Sequence, residues 1–418
     1  MSQVPKQAVI LCGGIGSRLK PHTITTPKPM IICNGKPFLW FILQQLRDQG
    51  IKNFVLLTGY LGHKIEAFFG DGSKFGLEIQ YSLGPIKWDT GRRLWEAKDL
   101  IEDSFILLYS DNFVPFSLSK LYSAHLKNSL PLTLMVSKKT KGNIQLDDNG
   151  LVLIYDNSRS SGTLNYVEIG YMIVEKHKTL SFYDSPDCSF SLILEKMSND
   201  KQIVTSIQHN SYYSISDSRR WQLAEEYLKP KKIILIDRDG VINHKANRGE
   251  YINKWGGFKF IEDTVEAMKY LSQKGFEFIV LTNQAGIARG IIKDEDINFI
   301  HEKMKNYLYQ LDINILDVYV CPHHWDDNCF CRKPNPGMFF EASKDYKFRL
   351  DQTLFIGDDP RDCQAAEKAG SKSIFIGNTL ELSHLSIEEL PFHASLTLKE
   401  SIHSIISFYE NSLGLKSL

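Results

Sequence analysis

The sequence predicts an α/β protein of two successive domains, each built on a mostly parallel sheet of doubly wound type. Three observations carry this. Short, nearly continuous apolar runs of strand length alternate with segments of helical period, as expected of buried strands joined by helices. The chain has 418 residues, too many for one ordinary hydrophobic core. The alternation also stops and restarts once, near Lys229 to Lys232. The domains are therefore expected at residues 1–228 and 232–418, with a very short linker between them.

In the first domain, QAVILCGG reads as a strand running into a glycine loop, and FLWFILQQLRDQG as a helix stopped at Gly50. FVLLTGY, LEIQYSL and FILLYSD read as further short, buried strands. Trp40, Phe38 and Phe41 share one helix and are read as core. In the second domain a strand, KIILID, leads to a helix around DTVEAMKYLSQKG. Strand FEFIVLTN, helix DEDINFIHEKMKNYLYQ, strand DVYVC and helix GMFFEASKDY follow. Strand TLFIGDD, helix RDCQAAEKAG and strand SIFIG continue the series. The tail ends in a helix, SIHSIISFYENSL, which serves either packing or a dimer contact. A homo-oligomer is left open on that account.

Composition narrows the function. The net charge is +0, which gives no pull toward nucleic acid or an anionic membrane. No apolar run approaches the roughly 20 residues of a membrane-spanning helix, and the N-terminus lacks the pattern of a signal peptide. Seven cysteines, of which Cys12, Cys33, Cys188 and Cys363 are scattered, fit a reducing cytosol better than a disulfide framework.

The stretch LCGGIGSRLKPHTITTPKPM follows the first strand. Gly13, Gly14 and Gly16 permit positive φ and let main-chain N–H groups approach an anion. The spacing is neither that of a P-loop nor of a dinucleotide fingerprint. Two cations, Arg18 and Lys28, stand at a set distance, the lysine stiffened by Pro27 and Pro29. Nucleotidyl transfer needs that combination, because the triphosphate must be cradled and charge develops on the departing pyrophosphate.

These residues resemble the signature of the sugar-1-phosphate nucleotidyltransferases, GGxGxRLxPxTxxxPKPM, and the likeness spans roughly the first 228 residues. The resemblance implies a Rossmann-like domain taking a sugar 1-phosphate and a nucleoside triphosphate. It implies Mg²⁺ on Asp111, at the end of FILLYSDN, and sugar binding by Glu168 and Gly170 of NYVEIGYMIV. The sequence departs from the family in three places. Ser110 precedes Asp111 where the family has glycine, and Ser214 falls where it has a second metal-binding aspartate. Asp217 lies three residues on, which on a strand would turn it to the opposite face. LGPIKWDTGRRL replaces the usual base-reading LGTAGAL, with Trp88 and Trp95 flanking it, so the nucleobase stays open.

A second constellation begins at IILIDRDGVIN. Asp237 and Asp239 follow a strand at i and i+2, so both carboxylates are expected to aim at one point, with a Mg²⁺ between them. One would attack phosphorus to give an aspartyl-phosphate. The other would protonate the leaving alcohol and then activate water. Thr282 and Asn283 end a strand with polar groups suited to phosphate oxygens, Lys333 supplies charge, and Asp358 and Asp359 end another strand as further Mg²⁺ ligands. All of these lie at the C-terminal ends of strands, where open α/β sheets place their sites.

CPHHWDDNCFCRKPNPGM completes the set. Cys321, His323, Cys329 and Cys331 offer three thiolates and one imidazole, a closed tetrahedral Zn²⁺ site that is structural because no position is left for substrate. Arg332 and Lys333 follow at once, so the metal would hold these two cations in a phosphate pocket. His324 is read as lying outside the ligand set. Together the motifs resemble the haloacid-dehalogenase phosphatase superfamily across roughly residues 231 to 408, and within it the D-glycero-D-manno-heptose-1,7-bisphosphate 7-phosphatases. The histidinol-phosphate phosphatases share the cysteine pattern and remain the alternative.

The two resemblances together imply a bifunctional cytosolic enzyme of nucleotide-sugar synthesis. The second domain would convert a heptose bisphosphate to heptose 1-phosphate, and the first would join that product to an NTP, GTP by resemblance. The rival is a first domain reduced to a sugar-nucleotide-binding regulatory module, motivated by Ser214.

Overall fold

The computed structural model describes residues 4–247 and 249–413. It divides into two compact units, Met1–Leu228 and Lys229–Leu418.

In the first unit, strands Ser104–Tyr109, Gln7–Cys12, Asn53–Thr58 and Glu78–Leu83 lie side by side and parallel. Strand Tyr166–Glu175 joins antiparallel to Ser104–Tyr109 and carries the sheet on to Leu132–Lys138 and Ile203–Gln208, making it mixed. Every residue of Gln7–Cys12 is buried, because both faces of the sheet are covered. Ala8, Ile10 and Cys12 pack with Phe38, Leu39, Ile42 and Leu46 of helix Phe38–Asp48. Val9 and Leu11 face Phe190, Ile193 and Met197 of helix Phe190–Asn199. Phe38 and Phe41 are core and Trp40 is half-buried beside them.

The second unit is an all-parallel sheet in the order Ile315–Cys321, Glu277–Asn283, Ile233–Ile236, Leu354–Gly357, Lys372–Ile376, His393–Ser395. Ile234 and Ile236 pack with Met268 and Leu271 of helix Glu262–Gln273 and with Ile300 and Met304 of helix Asp294–Tyr309. Ile233 and Leu235 face helices Gly337–Tyr346 and Pro360–Ala369 through Met338, Phe339, Ala365 and Ala366. The final helix, Leu398–Ser412, buries Ile405 and Tyr409 in the first of these layers and packs on Glu262–Gln273, so its apolar face is used within the chain. Burying a side chain of this size contributes about 1.5–3 kcal/mol. Among the described residues no helix is long and apolar enough to cross a membrane.

Candidate active sites

In the second unit, three carboxylates converge just past the strand ends. Oxygens of Asp237, Asp358 and Asp362 all lie within 4.8 Å of one another. Lys333 is buried between two of them, its Nζ 3.0 Å from Asp237 Oδ1 and 2.8 Å from Asp362 Oδ1. Asp362 was not singled out from the sequence. It occupies the third position of helix Pro360–Ala369, where its Oδ2 accepts from the main-chain N–H groups of Asp358 and Asp359, each at 3.1 Å. Asp359 caps the same helix, and the D-x-x-D pattern of that reciprocal capping box was the available signal. A Cβ on Gly357 would meet the Asp362 carboxylate at 2.4 Å, so glycine is needed there to seat it.

Asp239 lines the same cavity as Asp237 but lies outside the converging trio. The strand ends at Ile236, so the alternation of a pleat does not extend to the two aspartates. Asp239 is held by the Arg238 guanidinium at 2.7 and 2.9 Å, by Asn243 at 2.9 Å and by Gln284 at 2.8 Å. Burial pushes its carboxyl up, and Arg238 with these hydrogen bonds more than offsets that, leaving it below the usual range. Asp359 differs from expectation in the same way: its carboxylate is taken by Arg361 at 2.8 and 2.7 Å and caps the helix. Asn283 lines the cavity, but its amide clasps Lys333, donating to its carbonyl and accepting from its N–H, both at 3.1 Å. Thr282 is buried on the cavity wall, its hydroxyl accepting from Gln284 at 2.8 Å. Arg332 also lines the cavity, which measures about 320 Å³, and its buried Nη1 has no hydrogen-bond partner.

This donor set fits a hard divalent cation. Burial pushes Asp237 up to about 6, with Lys333 pulling it down and Asp362 and Asp239 raising it further. Burial and the nearby Asp237 push Asp358 up to about 7. Lys245 meets Asp358 at 2.6 Å. Carboxylates crowded this closely stay ionised together only beside positive charge, and an all-oxygen cluster is the Mg²⁺ type of site.

The cysteine loop converges as expected from its spacing. The sulfurs of Cys321, Cys329 and Cys331 stand 3.4–3.6 Å apart, with His323 Nδ1 3.1 Å from Cys331 and 3.7 Å from Cys321. A disulfide would need about 2.05 Å, whereas a tetrahedron of thiolates about 2.3 Å from Zn²⁺ has edges of about 3.8 Å. The group therefore fits Zn²⁺. His324 lies outside it and caps the turn Trp325–Asp327. Asn335 donates to the Cys329 carbonyl at 2.9 Å, so the loop is tied to the segment that carries Lys333.

In the first unit, a cavity of about 520 Å³ is lined by Gly13, Gly14, Gly16, Arg18, Lys28, Asp111 and Glu168. Lys28 Nζ lies 2.5 Å from Asp111 Oδ2. A Cβ on Gly14 would meet nothing, so the space beside that residue is open. Gly16 adopts φ 68°, and a Cβ there would touch Lys28 at 3.0 Å. Glu168 is buried, its carboxyl raised by burial, and its Oε2 has no partner. Gly170, also at positive φ, has the Tyr109 ring 2.6 Å from where a Cβ would sit, so a side chain there would be crowded. Ser214 is buried and bonded to Ser216, and Ser216 lines the cavity. The strand expected to carry Asp217 ends at Ser214, and Asp217 instead accepts from the Arg220 N–H at 3.0 Å at the start of helix Ser218–Leu228. Asp111 is thus a single carboxylate already paired with a lysine. It suits Mg²⁺ where nucleotide phosphates complete the coordination. Trp88 lines this cavity, while Trp95 packs against Tyr183 with ring centres 5.4 Å apart.

Comparison with known proteins finds separate relatives for the two units. Residues 7–157 match the Nucleotidyl transferase family and residues 232–374 match the Polynucleotide kinase 3 phosphatase family. A D-glycero-alpha-D-manno-heptose-1,7-bisphosphate 7-phosphatase of Photorhabdus laumondii is 35% identical over 35% of this chain and 83% of that protein. The D,D-heptose 1.7-bisphosphate phosphatase of B. bronchiseptica, solved with magnesium and phosphate, is 29% identical over 42% of this chain and 98% of its own, at a TM-score of 0.39. HddC from Yersinia pseudotuberculosis is 22% identical over 54% of this chain and 100% of its own, at a TM-score of 0.47. Through its second unit the chain belongs to the D-glycero-D-manno-heptose-1,7-bisphosphate 7-phosphatase family, and it carries a nucleotidyl transferase domain ahead of that unit.

Proposed function

We propose that the chain carries out two consecutive steps of nucleotide-sugar synthesis, in domains at residues 1–228 and 232–418. The second domain removes the 7-phosphate of a D-glycero-D-manno-heptose 1,7-bisphosphate. Asp237 attacks phosphorus, the bond to the sugar oxygen breaks, and Asp239, turned away from Arg238 and protonated in the substrate complex, delivers its proton to that oxygen. Asp239 then takes a proton from water as it hydrolyses the aspartyl-phosphate. Lys333 holds Asp237 in place and offsets charge on the transferring group. Arg332, with its unpartnered nitrogen, binds phosphate oxygens. Asp237, Asp358 and Asp362 would hold Mg²⁺, which neutralises the carboxylates and the phosphoryl oxygens. Zn²⁺ on Cys321, His323, Cys329 and Cys331 is structural.

The first domain joins the heptose 1-phosphate to an NTP, GTP in this reading. A phosphate oxygen of the sugar attacks the α-phosphorus and pyrophosphate leaves. The glycine turn of Gly13, Gly14 and Gly16 and the side chains of Arg18 and Lys28 meet the phosphates, and Glu168 accepts from sugar hydroxyls. The observation that carries the proposal is the buried Lys333 shared by Asp237 and Asp362 at the wall of the cavity. The test is to incubate the chain with heptose 1,7-bisphosphate and each NTP in turn, with magnesium. A nucleotide-heptose mass with one NTP, and phosphate release slower from histidinol phosphate, is expected. Faster release from histidinol phosphate would remove the sugar substrate from this account.

A further inference from the structure

We propose that Arg93 is the positioning residue of the first unit's cavity, holding its loops in the arrangement that receives the polyphosphate of a nucleoside triphosphate. The proposal rests on the reading of that unit as a nucleotidyl transfer site.

Arg93 lies in helix Thr90–Glu96 and is 4% exposed. Its Nη1 donates to the carbonyls of Thr58 at 2.6 Å and Gly84 at 3.4 Å. Its Nη2 donates to those of Pro85 at 2.8 Å and Gly13 at 3.5 Å. The acceptors belong to three separate segments: the end of strand Asn53–Thr58, the stretch after strand Glu78–Leu83, and the glycine turn after strand Gln7–Cys12. One planar fork therefore ties together three loops at the C-terminal ends of parallel strands. A lysine has no such fork.

The glycines beside it record the same contact. A Cβ on Gly13 would lie 2.3 Å from the guanidinium carbon, and one on Gly59 would lie 2.6 Å from Nη2. Gly13 is therefore small because Arg93 fills the space behind it, a different reason from the open face of Gly14. Among the described residues no carboxylate forms an ion pair with Arg93, and Asp89 acts on it only through space. A buried cation held by neutral carbonyls keeps its charge and remains short of a counter-ion. That charge sits on the wall of the cavity that also presents Arg18 and Lys28. The guanidinium also engages the negative ends of four peptide dipoles that would otherwise repel an incoming anion. A polyphosphate both supplies the missing charge and meets a turn already shaped to receive it.

The test uses the full chain with Arg93→Met and Arg93→Lys, measuring pyrophosphate release from heptose 1-phosphate and the NTP preferred by the wild type. Phosphatase activity of the same molecules reports an intact second unit, and a far-ultraviolet circular dichroism spectrum of the whole chain unchanged from wild type then reports that the first unit is folded too. For Arg93→Met the KM for NTP is expected to rise about thirtyfold, with the KM for the sugar phosphate within about threefold. Arg93→Lys, which keeps the charge without the fork, is expected to recover part of this and supplies the comparison if the methionine variant misfolds. An unchanged KM for NTP in a folded variant, or equal rises for both substrates, would overturn the proposal while leaving the nucleotidyl transfer reading in place. A wild-type chain inactive with every NTP would instead remove the reading, and the proposal with it.

Discussion

Asp362 carries more of the phosphatase site than its place in a helix suggests. It is 2% exposed, receives two main-chain N–H groups, and gives Lys333 its second anionic contact. Removing one partner of a buried ion pair costs about 3–5 kcal/mol, because the other charge stays buried. Asp362→Asn is therefore expected to lower the thermal midpoint of the second unit and to slow phosphate release by about a hundredfold or more. Release within about threefold of wild type would show that Lys333 is positioned by Asp237 and Asn283 alone. His301 gives a prediction of a different kind. Its Nε2 accepts from Arg238 Nη1 at 2.9 Å, and burial together with Arg238 holds its pKa down to about 3. The folded protein keeps this ring neutral, while the unfolded chain protonates it below about 6.5. The stability it contributes is full above that value and is lost as pH falls toward the folded pKa, at about 1.4 kcal/mol per pH unit. Urea titrations at pH 7 and pH 5 should show this loss in the wild type and a smaller one in His301→Gln. Equal losses in both would assign the pH dependence to other groups.

At the scale of elements, the loop Cys321–Cys331 and the helix that follows act together. A Cβ on Gly337 would lie 2.5 Å from the Phe330 carbonyl, so the helix Gly337–Tyr346 starts against the loop itself. Trp325 and Phe330 of the loop are exposed, while Cys321 is buried and Cys329 and Cys331 pack against the core beside the helix. Cys329→Ser is expected to lower the zinc content measured on the purified chain and to cost about ten- to a hundredfold in phosphatase activity, as for other changes around a metal. Full activity in a zinc-free variant would mean that packing alone places Lys333. The capping box of helix Pro360–Ala369 is the other element with a double duty, since one hydrogen-bond pattern both starts the helix and aims Asp362.

Across the whole molecule the chemistry separates into two cavities in two units, each at the C-terminal ends of its parallel strands. Asp237→Asn should abolish phosphate release from the bisphosphate yet leave pyrophosphate release from supplied heptose 1-phosphate within about twofold. Loss of both activities would show that the units depend on each other. The sequence alone showed most of the second unit's alternating strands and helices, because buried parallel strands are written as continuous apolar runs, and the Cys321, His323, Cys329 and Cys331 cluster, because its spacing is local; it did not show strands Leu132–Lys138 and Ile203–Gln208 of the first unit. It also pointed to Gly14, Gly16, Arg18 and Lys28, which the structure gathers at one cavity. It did not reveal Asp362, whose role depends on a lysine 29 positions earlier in the chain, nor Arg93, which reads as a surface charge until three loops close around it. It assigned Asp239 and Asp359 to the cation, whereas their sequence neighbours Arg238 and Arg361 take those carboxylates. The physical reason is that periodicity and turn chemistry are local, whereas Lys333 meets Asp362, and Arg93 meets its three segments, only when loops are brought together across a sheet.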